Sequence, residues 1–472
     1  MLSAMNTINH ADLLVRNIDW LITVDAGRRI IRDAAIAVKD GKFAAVGKSA
    51  AIECAWHADK VFDAKNTVVT PGLIDNHLHS SFQLARGLAD ESNAQSFLFD
   101  HMYPYEAVLG EADVAVSAAL ASIELLRHGV TCYIEPGNYH PETTARVMMQ
   151  AGMRMVMAVS CFDRGKSVTG LMPTAMIDTT ARCIEKTERL FAQYPGEYKD
   201  RMTVSASFRG MNNSSDELIL ALKGIADKHN AILQTHACYS YFTHDASVSQ
   251  FGVPEIERLE RLGVLDERML LLHAGWLEPH EIEILARRKP TLVCCPSSSL
   301  HNGYGNLARG MHPELMALGV NVSLGADHAS SGTVDIVQEM RNCVCAYKEN
   351  RLNPRLMPPE RAVEMATING ARGAGLADRI GSIEVGKEAD FVLFDTTVPE
   401  WQPLYNPVSN LVYSATGNTV RDVFVAGEQV VRDGHLTRIN EQDVLREVVK
   451  AGARITSKLD MKKVMKLAWP VE

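Results

Sequence analysis

The chain has 472 residues, of which 46% are hydrophobic and 22% are charged, and its formal net charge is −9 at pH 7. This length exceeds one ordinary compact core and suits a large domain with a smaller accessory one, while the composition excludes disorder. An acidic surface attracts neither nucleic acid nor an anionic membrane. We therefore expect a small-molecule substrate, no nucleic-acid or membrane partner, and a homo-oligomer.

Nine cysteines are scattered along the chain without the spacing of a disulfide framework. The pairs Cys294-Cys295 and Cys343-Val344-Cys345 could bind a metal, but such cysteines are commonly core residues, so we expect reduced thiols. The first residues lack a basic segment followed by an apolar one, and nowhere do about 18 apolar residues run together. These features predict a cytoplasmic protein.

Both ends of the chain alternate short β-like runs with turns. Several such runs fall between residues 12 and 69, with the hairpin signal Asp40-Gly41 between two of them, and the same pattern returns at residues 391–395 and 420–427. We predict that residues 1–69 and 381–440 together form a small β-sandwich domain. Residues 441–472 are predicted to form a helical tail, with helical spacing from Asn440 to Lys466, that packs on a partner or on the central domain.

Between these ends, strand-like and helix-like segments alternate, which is typical of a parallel sheet covered by helices. The spacing predicts an α/β fold, a (β/α)8 TIM-like barrel over residues 70–380. Its eight strands are expected near residues 70–77, 130–135, 155–161, 203–209, 231–236, 269–273, 291–295 and 321–327. Residues 80–115 form an unusually long connection. We expect it either to enclose a small satellite core or to form a lid and substrate wall, with Phe82 among its apolar members.

Several predicted strands end in residues that can bind a metal. His77 and His79 are two residues apart, so on a strand their imidazoles point the same way. His236, His273 and Asp327 each follow a later apolar run. In a barrel the C-terminal strand ends meet at one mouth, and neutral imidazoles suit a transition metal better than Mg²⁺ or Ca²⁺. The pattern therefore indicates a metal site.

These residues belong to a longer pattern. The segment PGLIDNHLH at 71–79 is followed by the single His236, by His273-Ala274, by GADHASS at 325–331, by MATINGAR at 365–372 and by GSIEVGKEAD at 381–390. In this order the pattern resembles the amidohydrolase superfamily over nearly the whole chain. It is most similar to the branch that holds triazine hydrolases, adenosine-type and guanine deaminases, and phenylurea and molinate hydrolases.

The resemblance implies a catalytic metal site. Its ligands would be His77, His79, His236 and Asp327 around one divalent transition metal ion, with Zn²⁺ favoured and Co²⁺, Mn²⁺ or Fe²⁺ as alternatives. His273 matches the histidine of the sixth strand and, with Asp327, would act as a catalytic acid/base on a metal-activated water. Relatives with two metal ions carry a lysine at the end of strand four, and none stands there, so we expect one ion.

The sequence departs from the deaminases of this branch at Tyr239. There, a glutamate stands three residues after the histidine that matches His236. A phenol with a pKa near 10 is a poor proton shuttle at neutral pH, although it can donate a hydrogen bond to a carbonyl. Glu135, at the end of strand two, could supply a compensating acid, or could instead be exposed or salt-bridged. His301 and His328 either line the pocket or are solvated loop residues.

We therefore predict a metal-dependent hydrolase of a non-peptide C–N bond in a small neutral molecule, in which activated water attacks an amide, urea, carbamate or thiocarbamate carbonyl. The substrate-binding residues would be Tyr239, Glu135, Phe82, His301 and His328. The first alternative is an aminohydrolase of an N-heterocycle such as a purine, pterin or triazine. The second is a non-catalytic scaffold on the same fold, against which the complete ligand set argues.

Overall fold

The computed structural model describes residues 8–168, 170–196, 201–461, 465 and 469–470. The strands are β1 (Asn9–Ile22), β2 (Ile30–Lys39), β3 (Lys42–Lys48), β4 (Trp56–Asp63), β5 (Thr67–Pro71), β6 (Leu73–Asp75), β7 (Val130–Ile134), β8 (Arg154–Met157), β9 (Lys166–Ser167), β10 (Gly170–Leu171), β11 (Met202–Val204), β12 (Ala206–Gly210), β13 (Leu233–Ala237), β14 (Met269–His273), β15 (Thr291–Cys294), β16 (Asn321–Leu324), β17 (Phe391–Asp395), β18 (Val420–Val425), β19 (Glu428–Arg432) and β20 (His435–Leu436).

The α-helices are α1 (Ser49–Ala55), α2 (Ala94–Ser96), α3 (Tyr103–Ala107), α4 (Glu111–Arg127), α5 (Pro141–Ala151), α6 (Thr180–Gln193), α7 (Asp216–Lys228), α8 (Tyr241–Phe251), α9 (Glu255–Arg261), α10 (Pro279–Arg288), α11 (Pro296–Asn302), α12 (Asn306–Arg309), α13 (His312–Ala317), α14 (Ile336–Asn350), α15 (Pro359–Met365), α16 (Ile368–Gly373), α17 (Pro407–Tyr413) and α18 (Glu441–Thr456).

The two ends of the chain form one continuous sheet of nine strands, β1 to β5 and β17 to β20. Strand β5 pairs in parallel with β1 and antiparallel with β17, so it connects the two halves. Val15, Ile36 and Phe391 from both halves share one buried core. The expected β-rich contribution of both ends is confirmed, but the strands are hydrogen-bonded into a single sheet rather than two, because β5 leaves no break between them. The division at residues 69, 380 and 440 stays a prediction.

The central strands are parallel and have the TIM-barrel type of arrangement. Strands β6, β7, β8 and β11 form one sheet, and β12 to β16 form another. Only Ser205 separates β11 from β12, so these two are halves of one predicted strand. At the opposite edges the Asn76 N–H donates to the Leu324 carbonyl over 2.9 Å, and Leu78 forms a bridge with Asp327. Both sheets therefore present their C-terminal ends on one side.

Gly72 marks the point where the chain passes from the nine-stranded sheet into the central strands. A Cβ atom at this residue would lie 2.1 Å from the Thr131 hydroxyl oxygen, which no side chain tolerates. Only glycine permits the Thr131 side chain to pack this closely against the backbone at position 72. The predicted first strand, residues 70–77, is accordingly divided between β5 and β6.

The long connection over the mouth is ordered by its own apolar contacts. Phe82, Phe97, Met102 and Tyr105 form a small buried cluster there, together with Ile455 from α18. Helix α18 thus packs on the barrel side, where the Arg454 Nη2 atom also lies 2.9 Å from Asp113 Oδ1 on α4. The predicted tail beyond residue 461 lies almost wholly outside the described residues. Within the described residues, no helix is long and apolar enough to cross a membrane.

Candidate active site

The predicted metal-binding residues meet at the C-terminal side of the central strands. His77 and His79 follow β6, His236 lies in β13, His273 ends β14, and Asp327 follows β16. The Asp327 N–H donates to the His77 carbonyl over 2.7 Å, and the His79 N–H donates to the Asp327 carbonyl over 2.7 Å. These two bonds join the first strand to the last one, so that residues about 250 positions apart share one site.

The backbone at the site is strained. His273 has a φ of 75° and Asp327 a φ of 65°, in the left-handed region that side chains other than glycine rarely adopt. Such a conformation costs about 1–3 kcal/mol per residue and persists where the surrounding structure enforces it. Residues with this strain cluster at functional sites, which agrees with the position of both side chains at the barrel mouth.

Four side chains form a compact group of potential metal ligands. His77, His236, His273 and Asp327 each offer one ligand atom, and all these atoms lie within 4.8 Å of one another. His79 adjoins the group, with its Nε2 3.1 Å from His236 Nε2 and 3.8 Å from Asp327 Oδ1. These distances do not distinguish the predicted role of His79 as a metal ligand from that of His273 as an acid/base. The assignment of these two roles stays a prediction.

The chemistry of this group fits a transition metal. His77 Nδ1 and Nε2 and His273 Nδ1 are buried without a hydrogen-bond partner, although His77 Nε2 lies 3.0 Å from Asp327 Oδ1. The His236 Nδ1–H donates to the Arg209 carbonyl over 2.6 Å, which fixes the ring and leaves Nε2 free to bind a metal. Three or four imidazoles and one carboxylate match the donors that Zn²⁺ and related ions prefer.

The electrostatics of the site favour neutral imidazoles beside an ionised carboxylate. Burial lowers the pKa of His79 and of His236 well below its usual range, and that of His273 to about 3. Burial also raises the pKa of Asp327, but the facing His328 and His77 together lower it well below the usual value. Ser298 Oγ additionally donates to Asp327 Oδ2 over 2.6 Å. Neutral His236 and His273 beside an ionised Asp327 are in the protonation state that metal binding requires.

A buried ion pair that the sequence did not reveal stands behind His79. The Arg209 guanidinium contacts both carboxylate oxygens of Glu106 at 2.8 and 2.7 Å, and its Nη2 lies 3.4 Å from His79 Nδ1. Neither side chain is more than 4% exposed. Glu106 comes from the long connection and Arg209 from β12. The pair therefore ties the wall of the site to the strand that supports His236.

The site opens into a cavity of about 670 Å³. Six of its nineteen lining residues are Phe or Tyr, and four of these six come from the long connection, so that this segment is both a satellite core and part of the wall. The lining residues are His79, Phe82, Phe97, Leu98, Phe99, Tyr103, Arg209, Gly210, Met211, Asn212, Asn213, His236, Tyr239, Thr243, Glu255, His273, Tyr304, Asp327 and His328.

Three of the five predicted substrate-binding residues line this cavity. The Phe82 ring is stacked on His79 at 4.9 Å, the Tyr239 ring lies 5.7 Å from His273, and the His328 ring is stacked on Phe97 at 4.8 Å. His328 is thus a pocket residue rather than a solvated loop residue.

Glu135 and His301 do not line the cavity. Glu135 is completely buried behind Ser80, whose N–H and hydroxyl both donate to its Oε2, and burial raises the pKa of this carboxyl to about 8. His301 is turned outward and pairs with Asp90 at 3.2 Å. Glu135 is held by Ser80, and His301 lies in α11 and is held by Asp90, so neither position supports a contact with a substrate in the cavity. Their role as substrate-binding residues stays a prediction.

Glu255 is a cavity residue that the sequence reasoning missed. It is 1% exposed and its Oε2 accepts a hydrogen bond from the Cys238 N–H, in the loop that follows His236. Burial raises the pKa of this carboxyl to about 7. Its sequence signal is weak, since it merely follows Pro254 at the start of α9.

The nine cysteines are free thiols, and seven of them are buried.

Comparison with known proteins places this geometry in a family. The amidohydrolase family model matches residues 68–430. A 5-methylthioadenosine/S-adenosylhomocysteine deaminase of Syntrophobacter fumaroxidans is 31% identical over 443 residues, which cover 93% of this chain and 97% of that protein. A 5′-deoxyadenosine deaminase of Methanothermobacter thermautotrophicus is 31% identical over 436 residues, which cover 92% of this chain and 97% of that protein.

Solved structures agree with this placement. An adenosine deaminase from Xanthomonas campestris with bound zinc has a TM-score of 0.89 at 27% identity, covering 95% of this chain and 99% of that one. A triazine hydrolase variant shares the fold, with a TM-score of 0.85 at 21% identity, covering 93% of this chain and 99% of that one. Guanine deaminase of E. coli also shares the fold, with a TM-score of 0.77 at 22% identity, covering 89% of this chain and 99% of that one. The chain therefore belongs to the amidohydrolase family, and it is an enzyme that acts on carbon–nitrogen bonds other than peptide bonds.

Proposed function

We propose that this enzyme is a metal-dependent aminohydrolase that replaces the amino group of an N-heterocycle by oxygen, with 5′-modified adenine nucleosides as its substrate class. The observation that carries the proposal is the match to a 5-methylthioadenosine/S-adenosylhomocysteine deaminase, at 31% identity over 93% of the chain. It supports the deaminase alternative better than the hydrolysis of amides or ureas. The proposal retains the cytoplasmic location and the homo-oligomeric state expected from the sequence.

We propose Zn²⁺ as the metal, held by His77, His79, His236 and Asp327. A relative at 27% identity has zinc bound, and the donor set of this chain fits that ion. When bound, the ion lowers the pKa of a water molecule so that hydroxide is available at neutral pH. His273, whose Nε2 lies 3.9 Å from Asp327 Oδ2, would then act as an acid/base beside the reacting atoms.

The aromatic walls would bind the heterocycle. Phe97, Phe99, Tyr103 and Tyr304 surround the cavity beside the ligand group. Stacking of a planar ring on such side chains contributes about 0.5–1.5 kcal/mol per aromatic pair beyond the apolar area that it buries. The long connection, from which the first three of these residues come, also excludes water from the reaction.

Asp327 would receive a proton during the reaction. It is only 4% exposed, and the hydroxyl of Ser298 holds its Oδ2 in place. A carboxylate that is fixed in this way and surrounded by imidazoles can accept a proton from the attacking water and pass it on as the amino group leaves.

A second cleft shares the lining residue Tyr304 with the cavity and would hold the substituent of the nucleoside. The cleft has a volume of about 550 Å³ and shares Tyr304 with the cavity. Tyr241, Trp276 and Asn302 line it, so that it combines aromatic faces with an amide group. This composition suits the ribose and the group at its 5′ position.

Hydrolysis of an acyclic amide, urea or carbamate is the second candidate, and Tyr239 favours it. The Tyr239 side chain lines the cavity where its hydroxyl could polarise a carbonyl. Burial raises its pKa well above the usual value, so the phenol keeps its proton at neutral pH and can donate it in a hydrogen bond to a carbonyl oxygen.

The experiment compares the two candidates on one enzyme preparation. Zinc-loaded protein is incubated with 5′-deoxyadenosine, 5′-methylthioadenosine, a phenylurea and an aryl carbamate, and the products are identified by mass spectrometry. We expect ammonia and the deaminated nucleoside, with kcat/KM at least about 10²-fold above that for either acyclic compound. Release of an organic amine from an acyclic compound, without ammonia from either nucleoside, would favour the second candidate. The matched control is His236→Asn, which should be inactive on all four.

A further inference from the structure

The catalytic cavity contains two carboxyl groups among its described lining residues, Asp327 and Glu255. Asp327 belongs to the group of metal ligands. Glu255 comes from a different element, the first turn of α9, and no residue of the ligand group contacts it through a hydrogen bond in the described structure. Its carboxyl is consequently independent of the ligand group.

The position of Glu255 is fixed by the loop that carries Tyr239. Its Oε2 accepts the Cys238 N–H, and Cys238 lies between His236 and Tyr239 in the chain. The carboxyl is 1% exposed, so it is shielded from bulk water, and it is held close to the loop at which the substrate must arrive. The titratable and charged groups that face it include Cys238, Tyr239, His244, Arg258 and Glu281.

The proposed reaction needs a proton donor. When the oxygen of water bonds to a ring carbon of an N-heterocycle, the adjacent ring nitrogen must gain a proton, and the amino group must later gain another in order to leave as ammonia. The Tyr239 phenol is too weak an acid for this at neutral pH. Glu135, the compensating acid considered from the sequence, lies outside the cavity, behind Ser80. Besides Asp327, Glu255 is the carboxyl among the described residues that line the cavity.

We propose that Glu255 is a catalytic acid/base of this enzyme. In this inference, which rests on the proposed function, the Glu255 carboxyl gives its proton to the ring nitrogen while the water oxygen bonds to the carbon, and it recovers a proton from that water. The second proton of the water then moves to the amino group as the C–N bond breaks. One water is consumed, one ammonia is released, and Glu255 is returned to its starting state.

The test is Glu255→Gln in the zinc-loaded protein, assayed on the best substrate of the wild type. Glutamine still accepts the Cys238 N–H through its amide oxygen, so the loop is retained while the acidic proton is lost. We expect kcat to fall about 10²–10⁴-fold, the typical contribution of a general acid. KM, bound zinc and the melting temperature should change little, because no ligand and no wall of the cavity has been removed.

Glu281→Gln is the matched control. Glu281 is also buried and also accepts backbone N–H groups, from Ile256 at 2.8 Å and Glu278 at 2.9 Å, but it does not line the cavity. A purely structural role of Glu255 predicts similar losses in both variants through lower stability. Our proposal predicts a large loss of kcat in Glu255→Gln alone, with partial recovery in Glu255→Asp, which restores an acid.

Two outcomes distinguish this proposal from the proposed function. If the best substrate of the wild type is an acyclic urea or carbamate, the proposed function fails, while the loss of kcat in Glu255→Gln still decides whether Glu255 supplies the proton to the leaving amine. If Glu255→Gln turns over that substrate at nearly the wild-type rate, or loses zinc together with activity, the assignment of Glu255 is overturned whichever substrate is used.

Discussion

Removing the charge of Glu106 tests how the buried ion pair supports the metal site. Glu106→Gln would leave the Arg209 guanidinium 4% exposed and without a counter-ion, 3.4 Å from His79 Nδ1. Breaking a buried pair by removing one partner costs about 3–5 kcal/mol, because the remaining charge is uncompensated. Both side chains are almost completely buried, so solvent screening does not reduce this figure. We expect the free energy of unfolding to fall by that amount, and zinc to bind more weakly beside the unpaired cation.

The assay is urea denaturation with parallel measurement of bound zinc. The double variant Glu106→Gln/Arg209→Met provides the decisive comparison, since it removes both charges and retains apolar volume. Its stability should lie above that of Glu106→Gln, as expected for two residues that interact directly. If Glu106→Gln is as stable as the wild type and keeps its zinc, or if the double variant loses the sum of both single effects, the reasoning about this pair is wrong.

Further predictions concern Gly72 at the entry to the central strands, the buried carboxyl of Glu339 and the histidines of the ligand group. Gly72→Ala should destabilise the protein by more than about 1 kcal/mol in urea denaturation, because its Cβ would overlap Thr131; a wild-type midpoint would contradict this. Burial raises the pKa of Glu339 to about 8, so the stability that this group contributes is complete below its unfolded pKa near 4.5 and is lost as pH rises towards 8. Glu339→Gln should therefore gain melting temperature relative to the wild type between pH 5 and 8, whereas a constant difference would refute the shift. His236→Asn should lose bound zinc, whereas His273→Asn should keep it and lose about 10²-fold or more in kcat; equal zinc loss in both would make His273 a ligand.

The strand-end residues could be predicted from the sequence because their signal is local. An apolar run that ends in His236, His273 or Asp327 places a polar group at the mouth of a barrel whatever its neighbours are. The β-rich ends could be predicted for the same reason. Their union into one sheet could not, because it depends on how β5 pairs with strands from the other end of the chain.

The partners of the site residues could not be predicted. Glu106 and Arg209 are 103 positions apart, and their contact depends on the path of the long connection. Glu135 and His301 come shortly after strands, as the residues of the ligand group do, but Glu135 is buried against Ser80 and His301 lies in α11, outside the cavity. Glu255 enters the cavity from the start of a helix, a position that carries no motif. Side-chain direction after a strand end is therefore the information that the sequence lacks.

The reaction of the zinc-loaded protein with 5′-deoxyadenosine tests the proposed deamination most directly, measured by the loss of adenine absorbance with ammonia determined in parallel. We expect one ammonia for each nucleoside consumed, with kcat/KM in the range of about 10⁴–10⁸ M⁻¹s⁻¹ that is usual for enzymes, and no turnover by His236→Asn. The proposed deamination is contradicted if zinc-loaded protein releases no ammonia from any amino-purine nucleoside and instead produces an amine from a urea or carbamate.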